Sequence, residues 1–277
     1  MHETLYQMKQ MSTINELTSR AHTIRKTIIE MAVPTVSHHI GCSLGIVDIL
    51  VALYGSAMSI HPKNPKDPER DIFILSKGHG AAALYATLCH YGYFDRALLD
   101  TYDQDGSSMP EHVSTNVPGV EFSTGSLGHG LPVGLGYALS FIQEKKENKV
   151  YVLVSDGELN EGSNWEAIQF AGHRKLDNLM IVIDKNDLQG YAPTSSVIDL
   201  NPLKEKFEVF GWQVDEIDGH DIKEILSSLD YVSSQKPRCI IAKTVKGKGV
   251  VRMEGKFESH YKSLSKEDKQ ELLEELS

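Results

Sequence analysis

With 277 residues, 40% of them hydrophobic, 24% charged and 22 glycine, the chain suits one large globular domain or two small ones and excludes a disordered, collagenous or disulfide-dense polymer. Its 28 basic and 38 acidic side chains leave a formal charge of −10 with no Lys/Arg block, which argues against nucleic-acid and membrane partners. Cys42, Cys89 and Cys239 fit neither a metal clip nor an oxidised framework and read as reduced core thiols. No basic-then-apolar leader opens the sequence and no apolar run approaches the about 18 residues a membrane span needs, so the expected location is cytoplasmic.

Thr13 to Glu16 reads as a T-x-x-E capping box, followed at helical spacing by Ile14, Leu17, Ala21, Ile24, Ile28 and Met31. A first amphipathic helix is predicted, ending at Pro34, then a Gly/Ser/His turn over 37–43 and a buried second helix over 46–58. Asp71 to Leu75 is a predicted strand that runs into Ser76-Lys77-Gly78-His79-Gly80, with an apolar helix from Ala81 to His90 behind it. The stretch from Gln104 to Gly130, holding five Gly and two Pro, is too long for an ordinary connection and reads as a functional loop. Further strands are predicted over 150–154, 179–184, 212–217 and 239–244, with helices through 165–175 and over 222–229. A charged amphipathic helix is expected over 263–277, docked through Leu272, Leu273 and Leu276 on the domain or on a partner. Alternating strands and helices make this an α/β chain with a doubly wound, mostly parallel sheet covered on both faces. With no repeat and no linker, it is expected to form a single domain over 1–277.

In an open parallel sheet, ligands bind beyond the carboxyl ends of the strands. Asp156 and Asn186 each stand one residue past an apolar strand run, one βαβ crossover apart. A carboxylate and an amide oxygen there suit Mg²⁺ or Ca²⁺ completed by phosphate oxygens. Gly157 admits a diphosphate to the backbone, and a helix starting near Leu159 would aim its N–H groups at the anion. The alternative is that Asp156 is an N-cap and Asn186 a turn residue. Several imidazoles, His39, His79, His112, His129 and His260 among them, sit in Gly-rich or polar turns, where they can handle protons or bind a sugar near neutral pH.

The run SDGELNEGSNWEA (155–167) followed by DKNDLQG (184–190) resembles the thiamine-diphosphate motif. SHHIGCSLGIVDI (37–49), ILSKGHG (74–80), PGVEFSTGSLGHG (118–130) and AKTVKGKGV (242–250) resemble transketolase segments in transketolase order, over about residues 15–260. The resemblance implies the diphosphate domain of the thiamine-diphosphate-binding fold and a transferase that moves a two-carbon ketol unit from a ketose to an aldose. By matching positions it implies Mg²⁺, with Ca²⁺ or Mn²⁺ as substitutes, on Asp156, Asn186 and the carbonyl of Leu188. It implies thiamine diphosphate contacts from His79, Gly125, Ser126, Leu127, Gly157, Glu158, Asn186 and His260, and catalytic roles for His39, His79, His112 and His260. Glu161 and Glu166 match carboxylates that run between paired active sites.

Only the N-terminal, diphosphate-binding third of a full transketolase is matched. The resemblance therefore implies the N-terminal subunit of a split enzyme, inactive without a C-terminal subunit that carries the pyrimidine-binding domain. Assembly as α₂β₂ on sugar phosphates or modified sugars is expected. Ser155, Ile40, His129 and Tyr261 depart from the family's usual Gly, Pro, Gln and Gly, which points to an altered pocket. The alternatives are the α chain of a 2-oxo-acid decarboxylating enzyme, which leaves SKGHG and TGSLG unexplained, and a non-catalytic thiamine-diphosphate-binding module.

Overall fold

The computed structural model describes residues 2–32, 38–230, 235–261 and 264–276, with side chains from residue 13 onward apart from that of Lys266. Helix α1 spans His2–Ala32, so Thr13 lies inside it and does not cap it. Nothing between residues 2 and 12 is Gly or Pro, and the helix continues upstream of the predicted start. The predicted stop at Pro34 lies outside the described residues. The apolar stripe is as predicted: Leu17, Ala21, Ile24 and Ile28 are all buried.

The second helical region differs from its prediction. Helix α2 (Ile40–Leu44) occupies part of the expected turn, α3 (Val47–Ala52) follows after a break at Gly45, and the segment ends in a π turn over Leu53–Ala57. The chain lies close against the β5 side at this point: a Cβ on Gly45 would stand 3.0 Å from the carbonyl oxygen of Val245.

Five strands, β1 (Ile72–Leu75), β2 (Val150–Ser155), β3 (Leu179–Lys185), β4 (Gln213–Asp218) and β5 (Arg238–Lys243), form one parallel sheet in the order β1-β2-β3-β5-β4. Each lies within one residue of its predicted bounds. The remaining helices are α4 (Ala81–His90), α5 (Gly130–Gln143), α6 (Gly162–Arg174), α7 (Thr194–Val197), α8 (Leu203–Val209), α9 (Ile222–Leu229) and α10 (Lys266–Glu275). Phe73, Leu75, Tyr151, Leu153, Met180 and Val182 face a layer built from α1, α3, α4 and α9. Their alternates Ile72, Ile74, Val150, Val152, Ile181 and Ile183 face α5, α6 and α8. Both faces are covered, as continuous apolar parallel strands require.

Helix α10 is capped by Ser265 and Asp268, and Leu272 and Leu276 are buried in the α1 layer. Cys42 and Cys239 are buried, Cys89 is half-buried, and all three thiols are free. Among the described residues, no helix is long and apolar enough to cross a membrane.

Candidate active site

The carboxyl ends of β2 and β3 are in register through Ser155 and Asp184, which sets Asp156 beside the turn that carries Asn186. Asp156 Oδ1 accepts from the Gly157 N–H at 2.7 Å, and Oδ2 accepts from the Asp187 N–H at 2.7 Å and the Thr194 hydroxyl at 3.3 Å. Burial, with the nearby Asp184 charge, pushes its pKa up to about 6. Asn186 donates through Nδ2 to Asp184 Oδ2 at 3.0 Å, which fixes the amide so that Oδ1 points the other way, toward the Leu188 N–H at 3.1 Å. One carboxylate, one amide oxygen and the Leu188 carbonyl make a hard-oxygen set of low charge, a fit for Mg²⁺. Among the described residues, no three His, Cys, Asp or Glu side chains offer a competing metal cluster. The capping reading holds as well, because Asp156 caps the 3₁₀ turn Gly157–Asn160. That turn corrects the expected helix start near Leu159: α6 begins only at Gly162, since Asn164 and Trp165 bond the carbonyls of Glu158 and Leu159 and hold the chain in a tighter turn first.

Two lysines that sequence reasoning passed over are buried beside these oxygens, Lys77 at 1% and Lys246 at 2% exposure. Lys77 donates to Asp184 Oδ2 at 2.5 Å and to the Cys42 carbonyl at 3.3 Å. Asp184 also accepts from the hydroxyl of Thr244, so one carboxylate ties together the ends of β1, β3 and β5. Lys246 Nζ lies 3.5 Å from the Leu188 carbonyl oxygen and 3.3 Å from His260 Nδ1. The signal was present in the sequence: each lysine stands in a Gly-rich turn directly after a strand.

Glu158 follows Gly157 past the end of β2 and lines the same cleft as Asn186. It is fully buried, and its carboxylate faces inward, accepting from the Ser76 hydroxyl at 2.5 Å, the Gly128 N–H at 2.9 Å and the Ser155 N–H at 3.3 Å. Its carboxylate bonds the Gly128 N–H and so holds one end of the Gly125 to Gly128 turn. Gly128 needs its φ of +85°, and a Cβ there would meet Glu161 Cβ at 2.6 Å. The long loop is ordered by the sheet: Val113 N–H donates to the Gly78 carbonyl at 3.1 Å, Thr124 N–H to that of Val113 at 3.1 Å, and the Thr124 hydroxyl to that of Leu75 at 2.7 Å.

This pinning sets His112 beside three other singled-out imidazoles, His39, His79 and His260. Ring centroids are 5.3 Å apart for His39 and His79, 5.6 Å for His39 and His112, 4.6 Å for His39 and His260, and 5.3 Å for His79 and His260. His39 sits at φ +60°, a strained conformation of the kind found at functional sites. Its buried Nδ1 has no hydrogen-bond partner. Burial is the main cause that lowers the pKa of His39 to about 4, that of His260 to about 3 and that of His79 well below the ordinary value. Neighbouring imidazoles and Lys77 add to each shift, and Lys246 adds to those of His39 and His260. His112 is exposed at the rim. A cleft of about 220 Å³ runs between Lys77, His79, Gly157, Asn186, Lys246 and His260, also touching Leu127, with the Tyr261 ring 4.5 Å from His260 at its mouth. Glu161, the N-cap of α6, and Glu166 in its first turns are exposed and do not line this cleft. His129 is exposed too, with Nδ1 near the carbonyls of Ser126 and Leu127 at 3.2 and 3.3 Å.

The family model described as transketolase, thiamine diphosphate binding domain, matches residues 17–277. The chain belongs to the transketolase family. It is 44% identical over 266 residues to one subunit of the apulose-4-phosphate transketolase of Actinobacillus succinogenes, covering 95% of this chain and 96% of that one. It is 42% identical to the 6-deoxy-6-sulfo-D-fructose transketolase subunit SqwG of a Clostridium species, covering 91% and 93%. Human transketolase is 33% identical over 98% of this chain, which spans 44% of the human length. The crystal structure of Campylobacter jejuni transketolase superposes with a TM-score of 0.87 at 32% identity, covering 96% of this chain and 43% of that one. The transketolase fold and its thiamine-diphosphate-binding domain thus account for the parallel sheet and for the cleft at its carboxyl edge.

Proposed function

We propose that this transketolase chain, as a single diphosphate-binding domain, is one subunit of a two-chain cytoplasmic enzyme. Its C-terminal partner would supply the pyrimidine-binding domain, in an α₂β₂ assembly. The observation that carries this reading is the cleft that His79 and His260 share with Asn186 and Leu188, with the rings of His39 and His112 packed next to them. Near end-to-end similarity to proteins named as transketolase subunits supports the division into two chains. Relatives named for apulose 4-phosphate and for 6-deoxy-6-sulfo-D-fructose support a sugar phosphate or modified sugar as substrate.

Bound thiamine diphosphate supplies the carbon nucleophile and electron sink for ketol transfer. Asp156, Asn186 Oδ1 and the Leu188 carbonyl would hold Mg²⁺, and Lys77 and Lys246 place positive charge where a diphosphate would lie. His39, His79 and His260, kept neutral by burial, can each accept or return a proton from a sugar hydroxyl. His112, exposed at the rim, is placed to bind a hydroxyl of the incoming sugar. Gly125, Ser126 and Leu127 offer backbone groups along the cofactor, in a turn held from below by Glu158.

Calorimetry of thiamine diphosphate with Mg²⁺ tests the reading, on the chain alone and with its partner subunit. Binding that is tightest with the partner and lost in Asp156→Ala is expected, together with ketol transfer without CO₂ release. Decarboxylation of a 2-oxo acid in its place would overturn the assignment.

A further inference from the structure

A chain of buried hydrogen bonds leads from α1 to Lys246 without touching the cleft. Arg25 on α1 grips Asp48 on α3 in bidentate fashion, Nη1 to Oδ1 at 3.1 Å and Nη2 to Oδ2 at 2.5 Å. The same Oδ2 lies 2.8 Å from Nδ1 of His220, in the loop after β4. Nε2 of His220 in turn accepts the backbone N–H of Val245 at 2.8 Å. The partners fix the tautomer: Nδ1 must carry the proton that the carboxylate accepts, leaving Nε2 as a lone pair for Val245. Arg25 and Asp48 are each below 10% exposed, so water does not compete for these bonds.

The turn that begins at Val245 is held from its other side as well. Gly247 N–H donates to the Gly41 carbonyl at 2.8 Å, and Gly255 N–H to the Lys246 carbonyl at 2.9 Å. A lysine side chain has four rotatable carbons, so its ammonium finds one place only if the backbone under it is fixed. Here that ammonium reaches both the Leu188 carbonyl and His260. His220 supplies the acceptor for the Val245 N–H, the backbone group that immediately precedes Lys246.

We infer that His220, oriented by Asp48 and Arg25, is a positioning residue that sets the Val245–Lys246 turn and so aims the Lys246 ammonium into the cleft. The inference rests on the proposed diphosphate site for its functional meaning, but its structural part is testable without any cofactor. A glutamine at 220 can reproduce both bonds, donating to Asp48 and accepting from Val245, whereas phenylalanine reproduces neither.

Amide hydrogen exchange on the full chain is the first measurement. Protection at Val245 should be lost in His220→Phe, or in His220→Ala should the larger ring prevent folding, and kept in His220→Gln. Equal protection in all three would overturn the inference. The second measurement is a cycle in thiamine diphosphate affinity on the chain with its partner subunit, using His220→Phe, Lys246→Met and the double variant. His220→Phe should weaken binding by about tenfold, with His220→Gln restoring it, and should add nothing once Lys246 is gone. Additive losses would overturn the link to Lys246. A wild-type complex that binds no cofactor would defeat the proposed function while leaving the exchange result to decide on His220.

Discussion

The backbone N–H of His39 donates to the carbonyl oxygen of His260 across 2.8 Å, so two imidazoles from opposite ends of the chain are fixed to each other through main chain. Substituting either ring leaves that bond intact. His260→Ala should therefore reduce kcat by about 10²-fold, in the range of a lost proton-handling group, while stability changes by less than about 1 kcal/mol. Steady-state kinetics and urea melts of the same preparation separate the two effects, and a variant that unfolds would refute the separation.

Asp184 and Lys77 are each 1% exposed and 2.5 Å apart, and neither can lose its partner cheaply. Asp184→Asn or Lys77→Met alone should cost about 3–5 kcal/mol in urea denaturation, the usual penalty for an uncompensated buried charge. Lys77→Met combined with Asp184→Leu should recover part of that loss. The recovery stays incomplete because Asn186 and Thr244 still lose their acceptor. Strictly additive losses would contradict the pairing.

The low pKa values of His39 and His260, about 4 and about 3, give stability a defined pH dependence. In the unfolded chain these rings titrate near the usual value of about 6.5, so as pH falls the unfolded state takes up protons first. Their contribution is complete above about 6.5 and is lost as pH drops toward 4 and 3. Both rings are partly open to solvent, which limits the effect to about 1 kcal/mol each. Denaturation midpoints between pH 7.5 and 4.5 should fall less steeply in a His39→Gln/His260→Asn double variant, and identical slopes would count against this origin.

Glu158→Gln keeps the volume but exchanges one acceptor oxygen for a donor. Whichever way the amide turns, its N–H group meets Ser155 N–H or the donors Ser76 and Gly128 N–H. A loss of about 1–3 kcal/mol is expected by thermal denaturation, along with weaker thiamine diphosphate binding from a loosened Gly125 to Gly128 turn. Unchanged cofactor affinity would show that the turn holds its shape without this carboxylate.

Strands β1, β2, β3 and β5 were legible because two-sided burial writes itself as short apolar runs bounded by turn residues, and the edge strand β4 by its mixture of buried and open positions. Asp156, Asn186 and His79 stood out because chemistry at a parallel sheet edge falls just past those runs, and His39, His112 and His260 because they lie in Gly-rich or polar turns. Helix α5 was not, since Gly130, Gly134 and Gly136 argue locally for a loop and only packing against β2 makes the segment helical. The roles of Lys77, Lys246, Asp184 and His220 were hidden for another reason, although the Gly-rich turns after β1 and β5 marked where the two lysines stand. Each is polar in sequence and becomes informative only when its partner, far off along the chain, is known. The inward bonds of the Glu158 carboxylate were hidden by the same gap, because position in a motif does not reveal which way a side chain turns.

The pinned segment between α4 and α5 has a consequence for assembly. Ordering a free loop costs about 1–2 kcal/mol per residue. Here that entropy has already been surrendered on folding, to bonds from Val113 and Thr124 onto the sheet edge. The segment is a wall and not a lid. In the proposed two-chain enzyme, a partner docking over His112 would meet a finished surface, so association would proceed as a near rigid-body encounter, its rate set by diffusion and orientation and not by waiting for a loop to close.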